Sequence, residues 1–376
     1  MNKKSLFALL SVFGFSLTAC ETVKDYKEHL DDYVFAMKFH EGFNILQLTD
    51  IHWSYTSSTS SSKQYLEKLL KVCDEHVKAN NQKIDLVELT GDQFMLANTY
   101  HVSTFINFFE EQANKYGFKY AVIWGNHDRH GLYNPNWLSD QFKKATNCIY
   151  IEPEDNLYGR SNFVINLTDD GSTTGATKWQ IANIDSGASF SETAISPFRD
   201  YDYIREDQVD WWVKENEKVG NAPTIAYYHI PQQDNGKAWD EYKAGTSTRK
   251  TKFFKLEGFA DNGNERYASK FIETGKAHNL KAAFMGHAHN VDWTVDYDGV
   301  VLGLGVKTGS ELYYAHIDAN SDDVDMKAGL ASVGINENFD LIGASLVTIN
   351  DESTFDLEHV YFNERTSGDF LRWVKW

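Results

Sequence analysis

Cysteine is scarce, basic charge is in short supply and long apolar runs are missing, and each shortage removes a class of protein. Three cysteines in 376 residues do not suffice for a disulfide framework or a cysteine-based metal site. Of the two beyond the N-terminal segment, Cys73 and Cys148, the first shares a helical stripe with Leu66, Leu69, Leu70 and Val77, the spacing of a core face. Lys and Arg number 36 against 54 Asp and Glu, a formal net charge of −18. Nucleic-acid affinity comes mainly from neutralising phosphates with basic residues, so no nucleic-acid partner is expected. A cationic metal site would still draw a small anion locally. The apolar stretch at residues 6–17 falls short of the ~20 residues a spanning helix needs. No internal repeat and no long linker interrupt the chain.

What is present points to a packed enzyme-sized domain. The hydrophobic fraction is 42%, with 20 Tyr, 24 Phe and 10 Trp, ample for a core. The N-terminus is set aside first. Lys3 and Lys4 precede the short apolar stretch, which closes on Leu17-Thr18-Ala19-Cys20. These residues resemble a bacterial lipobox, which implies cleavage before Cys20 and a lipid on its thiol. The expected organisation is a lipoprotein signal peptide at residues 1–19, a tether at 20–40 and one domain at 41–376. The expected location is the extracytoplasmic face of a bacterial membrane, with the lipid anchor as the membrane contact.

The body alternates strand and helix signals. Buried runs at residues 43–48, 84–89 and 120–124 predict strands, separated by helices, the second at 102–116 with Gly117 as its stop. This βαβαβ rhythm predicts parallel strands. Further strands are expected at 179–184, 224–228, 281–285, 293–297, 300–303 and 345–349, with a helix at 204–219. The fold class is α/β, with two half-sheets facing each other.

Five polar segments follow these runs: Asp50-Ile51-His52, Gly91-Asp92, Gly125-Asn126-His127-Asp128, His229 and Gly286-His287-Ala288-His289. Ligands gather at the carboxyl ends of strands in such sheets, so one edge would present all five. Mixed oxygen and imidazole donors favour Mn, Fe or Zn over an all-oxygen Mg site. Asp92 can bridge two ions and Asn126 offers a weaker amide oxygen. Two divalent ions roughly 3.5–4 Å apart activate water and clamp a phosphoester. His127 fits a proton donor for the leaving alcohol, with Asp128 beside it to orient it and keep it charged.

As an ordered set the segments resemble the calcineurin-like metallophosphoesterase superfamily over residues 43–349. The resemblance implies a four-layer αββα sandwich of two mixed sheets flanked by helices. It implies Asp50, His52 and His289 on one metal, Asn126, His229 and His287 on the other, and Asp92 between them. Two further stretches are similar to a purple-acid-phosphatase-like subgroup: Asp185-Ser186-Gly187 with Tyr201-Asp202-Tyr203-Ile204 and Trp211, and Lys307-Thr308-Gly309. The chain departs from true purple acid phosphatases in having His52 where they have Gly, and Met95 where they carry a ligating Tyr. A colourless or weakly coloured protein with exchangeable divalent ions is therefore expected.

The expected activity is hydrolysis of small phosphate monoesters. Alternatives are nucleotide or cyclic-nucleotide phosphodiesterase activity on the same site, and a non-catalytic surface binding lipoprotein. Arg129 and His130, directly after the third segment, are candidates to touch a substrate phosphate, against a reading as solvated loop residues. Residues 232–264 look like a polar binding loop or lid. Its basic cluster, Arg249 with Lys250 and Lys252, is another candidate contact for a substrate anion.

Overall fold

The computed structural model describes residues 34–53, 59–129, 135–153, 156–190, 200–255, 268–363, 368–370 and 373–376. Cys20, the signal and most of the tether expectation, and His130 lie outside these residues. The chain begins with β1 (Val34–Lys38), β2 (Phe43–Leu48), α1 (Thr59–Lys78), β3 (Ile84–Thr90), α2 (Thr99–Tyr116) and β4 (Lys119–Ile123). There follow α3 (Pro135–Phe142), β5 (Cys148–Ile149), β6 (Phe163–Thr168), β7 (Thr177–Asn183), β8 (Ser189–Phe190) and β9 (Asp200–Tyr201). The middle holds α4 (Glu206–Lys218), β10 (Thr224–Tyr227), α5 (Gln233–Lys243), β11 (Thr251–Lys255), α6 (Phe271–Ala277) and β12 (Leu280–Met285). Then come β13 (Val291–Tyr297), β14 (Val300–Leu304), β15 (His316–Ile317) and α7 (Val324–Val333). The described chain closes with β16 (Phe339–Ile349), β17 (Phe355–Asn363), β18 (Asp369–Phe370) and β19 (Val374–Lys375).

Apart from a two-stranded β8–β9 ribbon, these strands form two mixed sheets. One has the order β1-β6-β7-β10-β12-β14-β13-β11; the other runs β18-β17-β16-β2-β3-β4-β5, with β15 and β19 paired to β16 and β17. The strands that matter for the site are parallel: β2, β3 and β4 in one sheet, and β7, β10 and β12 in the other. All six therefore deliver their carboxyl ends to one edge. The chain turns from α2 to β4 as its sequence suggests: Gly117 takes left-handed backbone (φ 82°) and its N–H donates to Ala113 O.

Strand periodicity divides the apolar residues between two cores. Ile165, Ile181, Tyr227 and Phe284 share a core with Ile45 and Leu86 of the other sheet, whereas Val164, Ala182, Tyr228 and Ala283 pack with Trp212 of α4 and Phe271 of α6. Side chains alternate across a strand, so one register fixes both interfaces. Cys73 and Cys148 are buried free thiols, and Cys73 lies in the core with Leu66, Leu69, Leu70 and Val77. Among the described residues no helix is long and apolar enough to cross a membrane.

The polar-loop expectation for residues 232–264 needs correction where that segment is described. It contains α5, with Ala238 and Trp239 buried, and β11, which pairs antiparallel with β13. Trp239 and Ala238 lie three and two residues past Gly236, a short apolar stripe in a polar helix that single-sequence periodicity misses.

Candidate metal centre

The strand ends bend sharply to bring their side chains together. Asp50, His52, Asp92 and His287 all have positive φ, between 51° and 76°. Each such residue costs of order 1–3 kcal/mol and persists only where the surroundings enforce it. Here the surroundings are backbone ladders that continue past the strands. Asp50, His52 and Trp53 N–H donate to the carbonyls of Gly91, Asp92 and Gln93 at 3.0, 2.9 and 2.7 Å. The glycines that open the segments are dictated by contact. A Cβ on Gly91, itself at φ 96°, would lie 2.2 Å from His229 Nδ1, and one on Gly125 would lie 2.2 Å from Asp92 Oδ1.

The side chains converge as two overlapping groups: Asp50, His52, Asp92 and His289, and Asp92, His229 and His287. Asp92 belongs to both. His52 and His289 face each other with Nε2 atoms 3.0 Å apart. His289 Nε2 is 3.3 Å from Asp50 Oδ1, and His52 Nε2 is 3.7 Å from Asp92 Oδ2. On the other side, His229 Nε2 is 3.4 Å from Asp92 Oδ1 and 3.1 Å from Asn126 Oδ1. All seven expected ligands are thus buried in one cluster.

The surroundings aim each ligand. Thr49 Oγ1 and the His287 N–H donate to Asp50 Oδ2 at 2.8 and 2.9 Å, which leaves Asp50 Oδ1 turned to the cluster without a hydrogen-bond partner. His229 Nδ1–H donates to Thr90 O at 2.9 Å, so Nε2 faces inward. Asp92 Oδ1 accepts the His127 N–H at 2.7 Å. The Lys307 ammonium, buried, donates to Asp50 O and Gly309 O at 2.7 Å each, and Thr308 Oγ1 accepts from Thr49 N at 3.0 Å. The stretch after β14 thereby leaves one sheet and braces the metal-side turn of the other. Ser186 Oγ does the same for His229 and Ile230, accepting both N–H groups at 3.2 and 2.8 Å.

Charge and donor type fit divalent cations. Burial pushes His52 and His287 down to about 3, keeping them neutral donors. For Asp50 and Asp92 burial acts upward, but the surrounding histidines outweigh it and hold both carboxyls well below the usual range. His229 shows the field: burial would lower it, yet Asp92 and Asp50 together raise it to about 9. Two ionised carboxylates thus draw a proton onto a buried imidazole, the demand a cation would meet. His52 Nδ1, His287 Nε2 and His289 Nδ1 are also buried without hydrogen-bond partners, unusual for polar atoms unless a ligand is involved.

His127 lies at the margin of the cluster, its ring edge-on to His52 with centroids 5.0 Å apart. Asp128 has different partners from those expected. Its carboxylate accepts the N–H groups of Phe94 (3.0 Å) and Gly125 (2.8 Å), pinning the second and third segments together. Burial and then the Asp92 charge push it up to about 8.

The family scan agrees with the site. The calcineurin-like phosphoesterase profile matches residues 43–291, which spans the ligands from Asp50 to His289. The chain belongs to the calcineurin-like phosphoesterase family. Within that family it is distantly similar to purple-acid-phosphatase-like proteins of Arabidopsis thaliana. "Probable inactive purple acid phosphatase 29" is 23% identical over 337 residues, covering 83% of each chain. "Probable inactive purple acid phosphatase 28" is 23% identical over 311 residues, covering 72% of this chain and 71% of its own.

In this calcineurin-like phosphoesterase, the two arginines expected to contact an anion have acidic partners of their own. The Arg129 guanidinium is paired with the buried Asp185 carboxylate, which also accepts from the N–H groups of Arg160 and Gly187. Arg249 is bound to Glu241 and Asp298 and stacks over Tyr297. Both arginines have acidic partners that compete with a substrate anion. Residues missed from sequence include Tyr313, whose ring lies 4.8 Å from His289, and Glu88, a buried acid midway along β3. Glu88 carried a signal, a second acid after Asp85 within a strand that is buried throughout.

Proposed function

We propose that the protein is a binuclear metal-dependent hydrolase of small phosphate monoesters, built as a four-layer αββα sandwich. The observation that carries the proposal is the buried Asp92 carboxylate shared by two groups of ligands. Asp50, His52 and His289 would hold one ion, Asn126, His229 and His287 the other. Mn, Fe or Zn suits this donor set. Bound there, two divalent ions supply Lewis acidity to water and to phosphoryl oxygens.

The chain's own residues supply the rest. His127, against the His52 ring, donates a proton to the departing alkoxide oxygen. Its backbone N–H holds Asp92 in place. Asp128 fixes the turn that carries His127 rather than touching substrate. The plant relatives are named as probable inactive proteins, which raises a non-catalytic reading. Against it, every ligand of the expected set is retained in this chain and buried at the cluster. The N-terminal expectation is proposed as well: a lipid on Cys20, after the apolar residues 6–17, holds the enzyme at the outer face of a bacterial membrane. A Cys20→Ala chain that still fractionates with membranes would exclude that anchor.

The test of activity is a panel of phosphomonoesters, diesters and nucleotides assayed with Mn, Fe, Zn and Mg. Chelator-reversible turnover on monoesters, lost in His127→Ala, is the expected result. Turnover confined to diesters would replace the monoester reading. Metal uptake without turnover on any ester would favour the binding-protein reading.

A further inference from the structure

Two tyrosine rings close on the Gly286-His287-Ala288-His289 turn, one at each histidine. Tyr201 stands edge-on to His287 with centroids 4.2 Å apart and planes at 76°. Tyr313 lies against His289 at 4.8 Å with planes at 46°. They arrive from separate parts of the chain. Tyr201 ends β9, which pairs with β8 in a two-stranded ribbon. Tyr313 follows the Lys307-Thr308-Gly309 brace by four residues.

The second of these is held out in water at some cost. Tyr313 is 59% exposed and its neighbour Leu312 is 40% exposed. Leu312 also has φ 62°, a left-handed backbone that a leucine adopts only under constraint. An exposed aromatic ring on a constrained turn, touching a cluster histidine, borders the place where a bound phosphate ester would extend into solvent. The arginines nearest in sequence to an anion-binding role, Arg129 and Arg249, are already paired with Asp185, Glu241 and Asp298.

Resting on the phosphoesterase reading above, we infer that Tyr201 and Tyr313 contact the substrate's alcohol portion and that this portion is flat and aromatic, as in an aryl or nucleoside phosphate. Aromatic pairs gain stabilisation beyond simple area burial through offset or edge-to-face contact. A polyol would instead leave both rings facing hydroxyls.

The test uses the full chain loaded with metal, and phenyl phosphate, adenosine monophosphate and glycerol phosphate as probes. The readout is the ratio of kcat/KM for each aromatic ester to that for glycerol phosphate. Tyr313→Ala and Tyr201→Ala are each expected to lower that ratio about fivefold, mainly through KM, and Tyr313→Phe to preserve it. A fall for phenyl phosphate alone assigns an aryl group, and a fall for both assigns a nucleoside as well. Phenylphosphonate, which is not hydrolysed, is titrated in parallel by calorimetry and should bind about fivefold more weakly to each alanine variant. Because Tyr313 is exposed, its truncation leaves the packed core intact. An unchanged ratio together with unchanged phenylphosphonate affinity overturns the inference. Should the wild-type chain hydrolyse none of the esters yet bind phenylphosphonate through these tyrosines, the phosphoesterase reading fails and the aromatic site survives.

Discussion

Glu88→Gln should stabilise the protein by an amount that grows with pH. Glu88 sits in the middle of β3, fully buried between the sheets, with the Asn183 amide beside its carboxylate. Burial raises it from an ordinary 4.5 to about 8, with the Asn183 amide offsetting only part. The folded chain therefore keeps a proton that the unfolded chain has released between these two values. Stability from this group is fully present below about pH 4.5, declines by about 1.4 kcal/mol per pH unit, and is lost by about pH 8. Near pH 7 the loss amounts to about 3 kcal/mol. Glutamine has nearly the same shape and no charge, so it removes the pH-dependent part. The assay is urea unfolding of chelator-treated wild type and variant at about pH 5 and about pH 8. The metal-site groups titrate in both proteins, so the difference isolates position 88. The variant's advantage should be larger at the higher pH by about 4 kcal/mol. A difference that stays constant with pH would mean that Glu88 is ionised in the fold, and the reasoning from its burial would be wrong.

Two further perturbations separate chemistry from metal holding. His127→Ala should lose about 100- to 10,000-fold in kcat while keeping its full metal content by elemental analysis; loss of metal would make the residue a ligand. Lys307→Met keeps most of the side chain's apolar length but removes the donors to Asp50 O and Gly309 O. Metal affinity should fall about 10- to 100-fold with near-native secondary structure by circular dichroism, and unchanged affinity would refute the bracing role.

The strands that carry the ligands were legible because they are short apolar runs ending in polar turns. β2, β3, β4, β10 and β12 lie within a residue or two of their expected bounds, and buried parallel strands have little else to encode. β6 and β17 were not read. Asn166 in one and Asp356, Glu358 and His359 in the other interrupt the apolar pattern, and their strand pairing rests on distant partners such as β7 and β16. The ligand types could be read off the turns, but not their support. Lys307 reaches Asp50 O across 257 positions of sequence, a contact with no local pattern. Asp128 has support of its own that adjacency does not reveal. Its adjacency to His127 suggested a pair, while the turn geometry directs its carboxylate to the Phe94 and Gly125 N–H groups.

The proposed binuclear centre depends on Asp92 serving both of its halves. Metal content of wild type and Asp92→Ala, measured after equilibration with Mn, Fe or Zn and gel filtration, addresses this directly. The wild type should retain about two ions per chain. The variant should keep neither ion firmly and should lose turnover with them. Two ions retained in Asp92→Ala would contradict the shared-carboxylate centre.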